Sequence, residues 1–345
     1  MRDVQALVDA ADSAELLIAV DRLAAARDWE GLRDLAHRCR EAVEFGRQLW
    51  PVAMHIDYRL AWEAPADYAA GVLRPGAGRF ALGPLTEVAA SNHEWAALAP
   101  HLGDAASTSA VAQERVLRGE DLRAHARQID RGETDALPLR LMDWEPVYAL
   151  PRYRDRSAAF PQPDVALRTL PPPGPLPDGG AVDDDEAVRA LRDTVETWVS
   201  QSAGSVAAVA VEGDAAVAVG ALAQAHGGQA ALLGIQPAEA LALLQWAGAS
   251  GGAYGRRPGG ARGRFMAWWA AIALAGLSWP PDPDDLGQAL AELRWYRWAP
   301  GAAEKGWILR LAIEDPIDGL AWAVDATDHR EEEPGHVDEP AELHQ

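Results

Sequence analysis

The sequence predicts two unlike halves: an α-helical hairpin array over residues 1–150, then a small α/β domain over 181–328 with a short parallel or mixed sheet. Three observations predict it. Apolar residues recur at spacings of three and four from Val4 to about Arg118, the pattern of helices that each bury one face. From Pro151 to Gly180 the chain reads PRYRDRSAAFPQPDVALRTLPPPGPLPDGG, a stretch that favours polyproline II and cannot form a helix or a central strand, so 151–180 is read as a linker. Beyond it, apolar runs of strand length alternate with helical runs, the order of a strand–helix–strand sheet.

In the first half, MRDVQALVDAADSAELL carries charge in each turn and reads as an amphipathic helix, not a signal peptide. Leu16, Leu17, Val20, Leu23 and Ala24 form one stripe, and Leu32, Leu35, Ala36, Cys39 and Val43 form another. Asp28 caps the second helix and keeps the break short, which makes the two antiparallel neighbours. A third helix spans Leu49 to Trp62, with Pro51 in the first turn where its missing N–H costs least. Pro65, Pro75, Gly76, Gly78, Gly83 and Pro84 then punctuate shorter pieces, among them Asn92 to Leu102 and Ser109 to Arg118. The array resembles HEAT-like or TPR-like proteins in style, without a fixed internal period.

In the second half, Asp183, Asp184, Asp185 and Glu186 place acids at the positive end of a helix running to about Ser200. SVAAVAVEGD is a buried strand, AAVAVGALAQ a helix, QAALLGIQ a second strand and PAEALALLQWAG a helix opened by Pro237. The longest apolar run, FMAWWAAIALAGL from Phe265 to Leu277, is too short for a bilayer of roughly 30 Å and reads as a buried helix. ILRLAIED alternates and is a strand. The segment PIDGLAWAVDATD has two readings: a hairpin arm after an Asp318-Gly319 turn, or a helix capped by Asp315 and opened by Pro316, the reading preferred here. Residues 329–345, HREEEPGHVDEPAELHQ, are acidic without an apolar period and read as a solvated tail.

Charge and cysteine content narrow the function classes. With Lys+Arg 31 against Asp+Glu 52 and a net charge of -21, the chain's average field repels phosphate backbones and anionic membranes, so neither nucleic acid nor a membrane is an expected partner. Cys39 is the single cysteine, which forbids an internal disulfide and a Cys-based metal cluster and fits a reduced cytoplasm. The only lysine, Lys305, is followed by Gly306 and Trp307, which excludes a Walker A loop. No G-x-G-x-x-G follows a strand, no H-E-x-x-H occurs, and His37 and Cys39 point to different helix faces, so no cofactor and no metal are expected. Asp282-Pro-Asp284-Asp285 reads as a helix cap, because Leu286 occupies what would be a calcium-ligand position.

The main local anomaly is SGGAYGRRPGGARGR from Ser250 to Arg264, which holds four arginines and no acid. Glycine-rich backbone can turn N–H groups toward an anion, arginine forks grip phosphate or carboxylate, and the following helix adds its N-terminal dipole. Tyr254, Arg256, Arg257, Arg262 and Arg264 are therefore the candidate ligand-binding residues. The competing account is a surface loop whose arginines pair with acids elsewhere in the chain. Gly248 to Gly252 also matches the G-x-S-x-G elbow string, making Ser250 a weak catalytic candidate, although the preceding segment looks helical where a strand is required. Glu212 and Asp214 sit where a strand meets a helix, a common ligand position, and are weak candidates for a base. Glu314, Asp315 and Asp318 lie at the corresponding end of a later strand, and helix capping competes for both sets. Trp295-Tyr-Arg-Trp298 is the aromatic group expected at the surface.

Strings such as WPVAMHIDYRLA, GRFALGPLTEVAAS and GRFMAWWAAIALAGL make the whole chain similar to an uncharacterised group of acidic, Ala- and Arg-rich actinobacterial proteins. That resemblance spans both halves and implies no activity and no functional residues. The residues themselves point to an interaction protein with an unknown protein partner or small anionic ligand. The alternative is an enzyme acting on a phosphorylated or carboxylated small molecule, with Arg256 and Arg257 as clamp and Glu212 or Asp214 as base.

Overall fold

The computed structural model describes residues 4–74, 77–78, 81–129, 137–177, 179–182, 186–301 and 305–330. The first half is helical, with α1 (Val4–Ala10), α2 (Ser13–Ala25), α3 (Trp29–Glu44), α4 (Trp50–Glu63), α5 (Ala66–Gly71), α6 (Leu85–Asn92), α7 (Trp95–Leu98) and α8 (Ala105–Leu117). The stripes face a common core, in which Leu16, Val20, Leu32, Leu35 and Cys39 are buried with Ile56 and Val111. Burial pushes the Cys39 thiol up to about 11, so it stays protonated at neutral pH.

The single helix expected at the N-terminus is two. Ala11 takes φ 52° and the Asp12 N–H returns to the Leu7 carbonyl, closing α1, while the Asp12 carboxylate accepts from the Glu15 N–H and opens α2. The joint between α2 and α3 repeats the device: Arg27 at φ 56°, Asp28 N–H to Leu23 C=O, and the Asp28 carboxylate accepting from Gly31 N–H. A Schellman turn serves the ending helix's carbonyls and an Asp cap serves the next helix's N–H groups, so very few residues suffice to reverse the chain. The piece expected from Asn92 starts only at Trp95, because His93 and Glu94 are extended. Asp104 starts α8 four residues before the expected Ser109.

The proline-rich stretch is packed against both halves. It contributes a two-residue hairpin, β1 (Arg152–Tyr153) with β2 (Ala158–Ala159), and an edge strand, β3 (Gly174–Pro175). Tyr153 and Val165 are buried, and Arg297 donates to the carbonyls of Val165 and Arg168. Proline confines such a strand to the edge, where no ladder N–H is required of it.

The second half runs α9 (Glu186–Thr194), α10 (Glu196–Ser200), β4 (Ser205–Glu212), α11 (Ala215–Ala223), β5 (Gln229–Ile235), α12 (Pro237–Ala249), α13 (Gly260–Leu274), α14 (Pro283–Glu292), β6 (Arg294–Ala299), β7 (Trp307–Asp315) and β8 (Leu320–Asp328). Asp183, Asp184, Asp185 and the tail beyond Arg330 lie outside the described residues. The sheet order is β3-β5-β6-β7-β8-β4, and every pairing is antiparallel. The expected parallel or mixed pairing is therefore corrected. β4 and β5 do run in the same direction, as a strand–helix–strand unit requires, but β8, β7 and β6 fill the space between them. The last three strands are local hairpin neighbours and take the central places, leaving β4 at an edge.

Residues 316–319 form a turn and β8 covers Leu320–Asp328, correcting the preferred helix. Asp315 accepts from the N–H groups of Ile317 and Asp318, and Gly319 at φ +66° completes the turn into β8. The cap-like Asp315 thus closes a hairpin, and cross-strand burial of Trp322 and Val324 decides the outcome. Trp295 and Trp298, expected at the surface, point to opposite faces of the sheet's own cores and are 2% and 1% exposed.

One sheet face packs on α9, α12, α13 and α14 around Leu309, Leu311, Ile313 and Trp268. α11 covers the other with Ala215, Ala218 and Val219 against Ala312, Ala321 and Ala323. The FMAWWAAIALAGL run forms most of α13, which packs on α12 and α9 and also reaches α8 of the first half. Close approach to α12 requires Gly263, where a Cβ would stand 2.3 Å from the Gln245 carbonyl oxygen. No helix among the described residues is long and apolar enough to cross a membrane.

Leu311 sits fully buried on the central strand β7. Leu311→Ala should lower stability by about 2–5 kcal/mol through lost burial and a cavity, read as a fall in the urea midpoint. Ile317→Ala, in the exposed turn, should stay within about 0.5 kcal/mol of the parent.

Candidate functional site

The glycine–arginine loop lies between the two halves of the chain. Its last arginine, Arg264 on α13, is 0% exposed and uses all five donors. Nε and Nη2 donate to the two carboxylate oxygens of Glu145 at 2.8 and 2.6 Å, Nη1 donates to Gln113 Oε1 and the Pro138 carbonyl, and Nη2 also donates to the Arg140 carbonyl. Glu145 in turn accepts from the Met142 N–H, the Tyr148 hydroxyl and Trp268 Nε1. Burial alone would push the Glu145 carboxyl up, but the Arg264 charge and these donors hold it below its usual range.

Arg257 makes a second fork, from Nε and Nη2 to both oxygens of Glu87 on α6 at 2.8 Å each. Glu87 also accepts from the Tyr153 hydroxyl and the Gly260 N–H. Burial raises its carboxyl, and the charge and hydrogen bonds of Arg257, with those of Tyr153 and the charge of Arg118, outweigh that and lower it. Glu114 on α8 accepts from the Ala261 N–H at 2.6 Å and from Arg118 at 2.7 Å. Here burial comes first and the neighbouring Glu87 charge adds to it, so Glu114 is raised despite Arg118.

The anion at the N-terminus of α13 is thus a pair of carboxylates from the helical half. Gly260 permits that approach, since a Cβ there would lie 3.0 Å from Glu114 Oε2. Four further loop amides have partners as well: Gly252 N–H reaches Ser250 Oγ, Ala253 reaches Asp328, Tyr254 reaches Ser202 and Arg256 reaches Gln201. The expectation that this backbone turns toward an external anion is corrected at these positions, because side chains of the chain itself already meet those N–H groups.

What remains open is a cleft of about 1230 Å³ beside the loop. Arg74, at the end of the α5 segment, Arg256 and Arg257 on the loop, and Arg330, just past β8, line it, and no Asp or Glu is among the described residues that do. Arg74, Arg256 and Arg330 are exposed, while Arg257 stacks on Phe160 and Arg330 on Trp307. Leu82, Phe160 and Tyr254 are exposed apolar or aromatic side chains on its walls. Three of the five candidate ligand residues, Tyr254, Arg256 and Arg257, therefore face one cavity. Arg262 is exposed and lies over the Phe265 ring, outside that lining, and Arg264 is locked in the core.

The catalytic candidates do not converge on the cleft. Glu212 pairs with Leu320 at one end of the β4–β8 ladder, whereas Asp328 at the other end holds the loop through Ala253. Eight residues of strand separate the two ends, about 26 Å at 3.3 Å per residue. Asp214 caps α11 through the Val217 N–H, and Glu314 accepts from Ala215 N–H and Arg294. The two acidic strand ends thus meet each other and not the arginines. Ser250 follows the C-terminus of helix α12, so the strand-to-helix turn of a nucleophile elbow is missing, and its Oγ accepts from Gly252. Asp282 caps α14 through Asp284 and Asp285, as expected.

Glu87, Glu114, Glu145, Arg74 and Arg330 were not legible as site residues. The only signal was that four arginines in a glycine-rich loop need acids somewhere in an acidic chain.

Arg264→Ala should cost about 3–5 kcal/mol, since it leaves Glu145 buried and uncompensated, whereas Arg256→Ala should leave the melting temperature unchanged. For Glu114, a raised native pKa means that its contribution is fully present below the usual 4.5 and is lost as pH rises through the native value. Glu114→Gln should therefore gain stability relative to the parent as pH rises above about 4.5, read as converging or crossing melting curves across a pH series.

No curated protein and no solved structure gives a match. A family model described as a family of unknown function, DUF6183, matches residues 14–328, nearly the whole described chain, and the protein belongs to that family.

Proposed function

We propose that this is an anion-recognition protein in which the cleft between the helical half and the sheet domain receives a phosphate- or carboxylate-bearing ligand or protein partner. One observation carries the reading: four arginines and no described acid line one cavity in a chain of net charge -21. Away from the cleft, many of the described arginines are matched by acids at ion-pair distance, as in the fork from Arg264 to Glu145. Arg257 is paired with Glu87, but the charges of Arg74, Arg256 and Arg330 gather on a cavity with no described acid in its lining. Such a concentration is costly to assemble, because like charges repel, and it is offset when an anion enters. Guanidinium forks prefer planar, two-oxygen acceptors, and Leu82, Phe160 and Tyr254 on the walls offer contact to an apolar part of the ligand.

The walls come from both halves, with Arg74 and Leu82 on one side and the 250–257 loop and Trp307 on the other. This favours a binding role over the enzyme alternative, since Glu212 and Asp214, the bases that alternative requires, sit at the far end of the sheet. A cytoplasmic setting suits the reading, the one cysteine being a buried thiol.

The test is a thermal-shift titration with inorganic tripolyphosphate and with citrate, run on the parent and on the triple variant Arg74→Ala, Arg256→Ala, Arg330→Ala. These three side chains are exposed, so the variant should fold normally. A ligand at 100 times its Kd stabilises by about 2.7 kcal/mol, so the parent should gain several degrees and the variant should gain little. Equal gains in both proteins would remove the cleft as the site.

A further inference from the structure

The chain itself carries a ligand of the chemistry this cleft would take. Arg330 lines the cleft, its Nε donates to the Ala253 carbonyl at 3.4 Å, and its guanidinium lies over Trp307. The next residues in sequence are Glu331, Glu332 and Glu333, followed within 331–345 by Asp338, Glu339 and Glu342. Those six acids stand beside no lysine or arginine in that segment.

Reach is not limiting. An extended chain covers at most about 3.5 Å per residue, so Glu333 can stand roughly 10 Å from Arg330 and Glu342 roughly 40 Å, while a cavity of this volume is only about 13 Å across. Tethering also raises the local concentration of such a segment to the millimolar range, so weak individual contacts suffice for occupancy. The apolar side chains Val337 and Leu343 are interspersed with the acids, and Leu82, Phe160 and Tyr254 are exposed on the cleft walls. No other described element places acids on this cavity.

We propose that the acidic segment 331–345 seats in the arginine cleft as an intramolecular occupant, which an external anion must displace. The inference rests on the anion-recognition reading of the same cleft and adds its regulation. Occupancy is set by ionic strength, since most of the attraction is between exposed charges that salt screens over about 8–10 Å.

The experiment uses the full chain in two arms. Because Cys39 is buried, added cysteines can be spin-labelled selectively; Glu342→Cys is paired with Leu82→Cys, and the distance distribution is measured in low and high salt. Close approach is expected in low salt, and its loss is expected in high salt, in the Arg74→Ala, Arg256→Ala, Arg330→Ala background, and on adding tripolyphosphate. In the second arm, Glu331, Glu332, Glu333, Asp338, Glu339 and Glu342 are changed to their amides, and tripolyphosphate affinity should tighten threefold or more.

A distance distribution indifferent to salt and to the arginines, with unchanged tripolyphosphate affinity, overturns the proposal while leaving the anion reading standing. Distances that respond to the arginines, with no tripolyphosphate binding to either protein, support the intramolecular occupant and overturn the external ligand.

Discussion

The Arg264–Glu145 pair is the contact on which the arrangement of this molecule depends. It joins the N-terminal turn of α13 to the segment before the proline-rich stretch, and its hydrogen bonds extend to Gln113 on α8 and Trp268 one turn along α13. A buried ion pair of this kind adds little net stability, because desolvation consumes most of the Coulombic gain. Its effect is on uniqueness. Five donors and two carboxylate oxygens can be satisfied together in only one relative placement of α8, α13 and residues 137–148, so the two halves have a defined register. The Glu87–Arg257 fork and the Glu114 contact to the α13 N-terminus repeat the principle a few residues away.

That interface explains why an arginine-rich loop exists in so acidic a chain. Its outer residues and its inner residues have different fates. Arg257 and Arg264 are structural, each facing a carboxylate from the other half, while Arg256 remains at the cleft with Arg74 and Arg330. A loop built to hold two halves together also lines the space between them, so any ligand entering the cleft contacts surfaces from both sides and bears on their separation. Glu114, raised by burial and by Glu87, makes the same interface sensitive to protons.

Legibility divided along the same line. Helix stripes such as Leu32, Leu35, Ala36 and Cys39 were readable because period alone decides which face is buried. The caps at Asp28 and Asp282 were readable because the side chain acts on amides two or three residues away. Asp315 was misread for the same local reason: its carboxylate serves the next N–H groups in a hairpin turn just as it would at a helix start. Of the residues that line the cleft, Tyr254, Arg256 and Arg257 stood out in composition, whereas Arg74 and Arg330 were invisible because 256 residues separate them and each is ordinary in its own neighbourhood.

By itself the sequence determined the helical first half and mixed second half, most of the helical segments, strands β4, β5 and β7, and the presence of an acid-free arginine loop, since these follow from periodicity, capping and charge over short windows. Only the tertiary structure decided the antiparallel order that inserts β6, β7 and β8 between β4 and β5, the burial of Trp295 and Trp298, and the sorting of the arginines into core and cleft. Strand order and ion pairing are chosen by groups distant in sequence competing for the same buried space, and no local pattern encodes the winner.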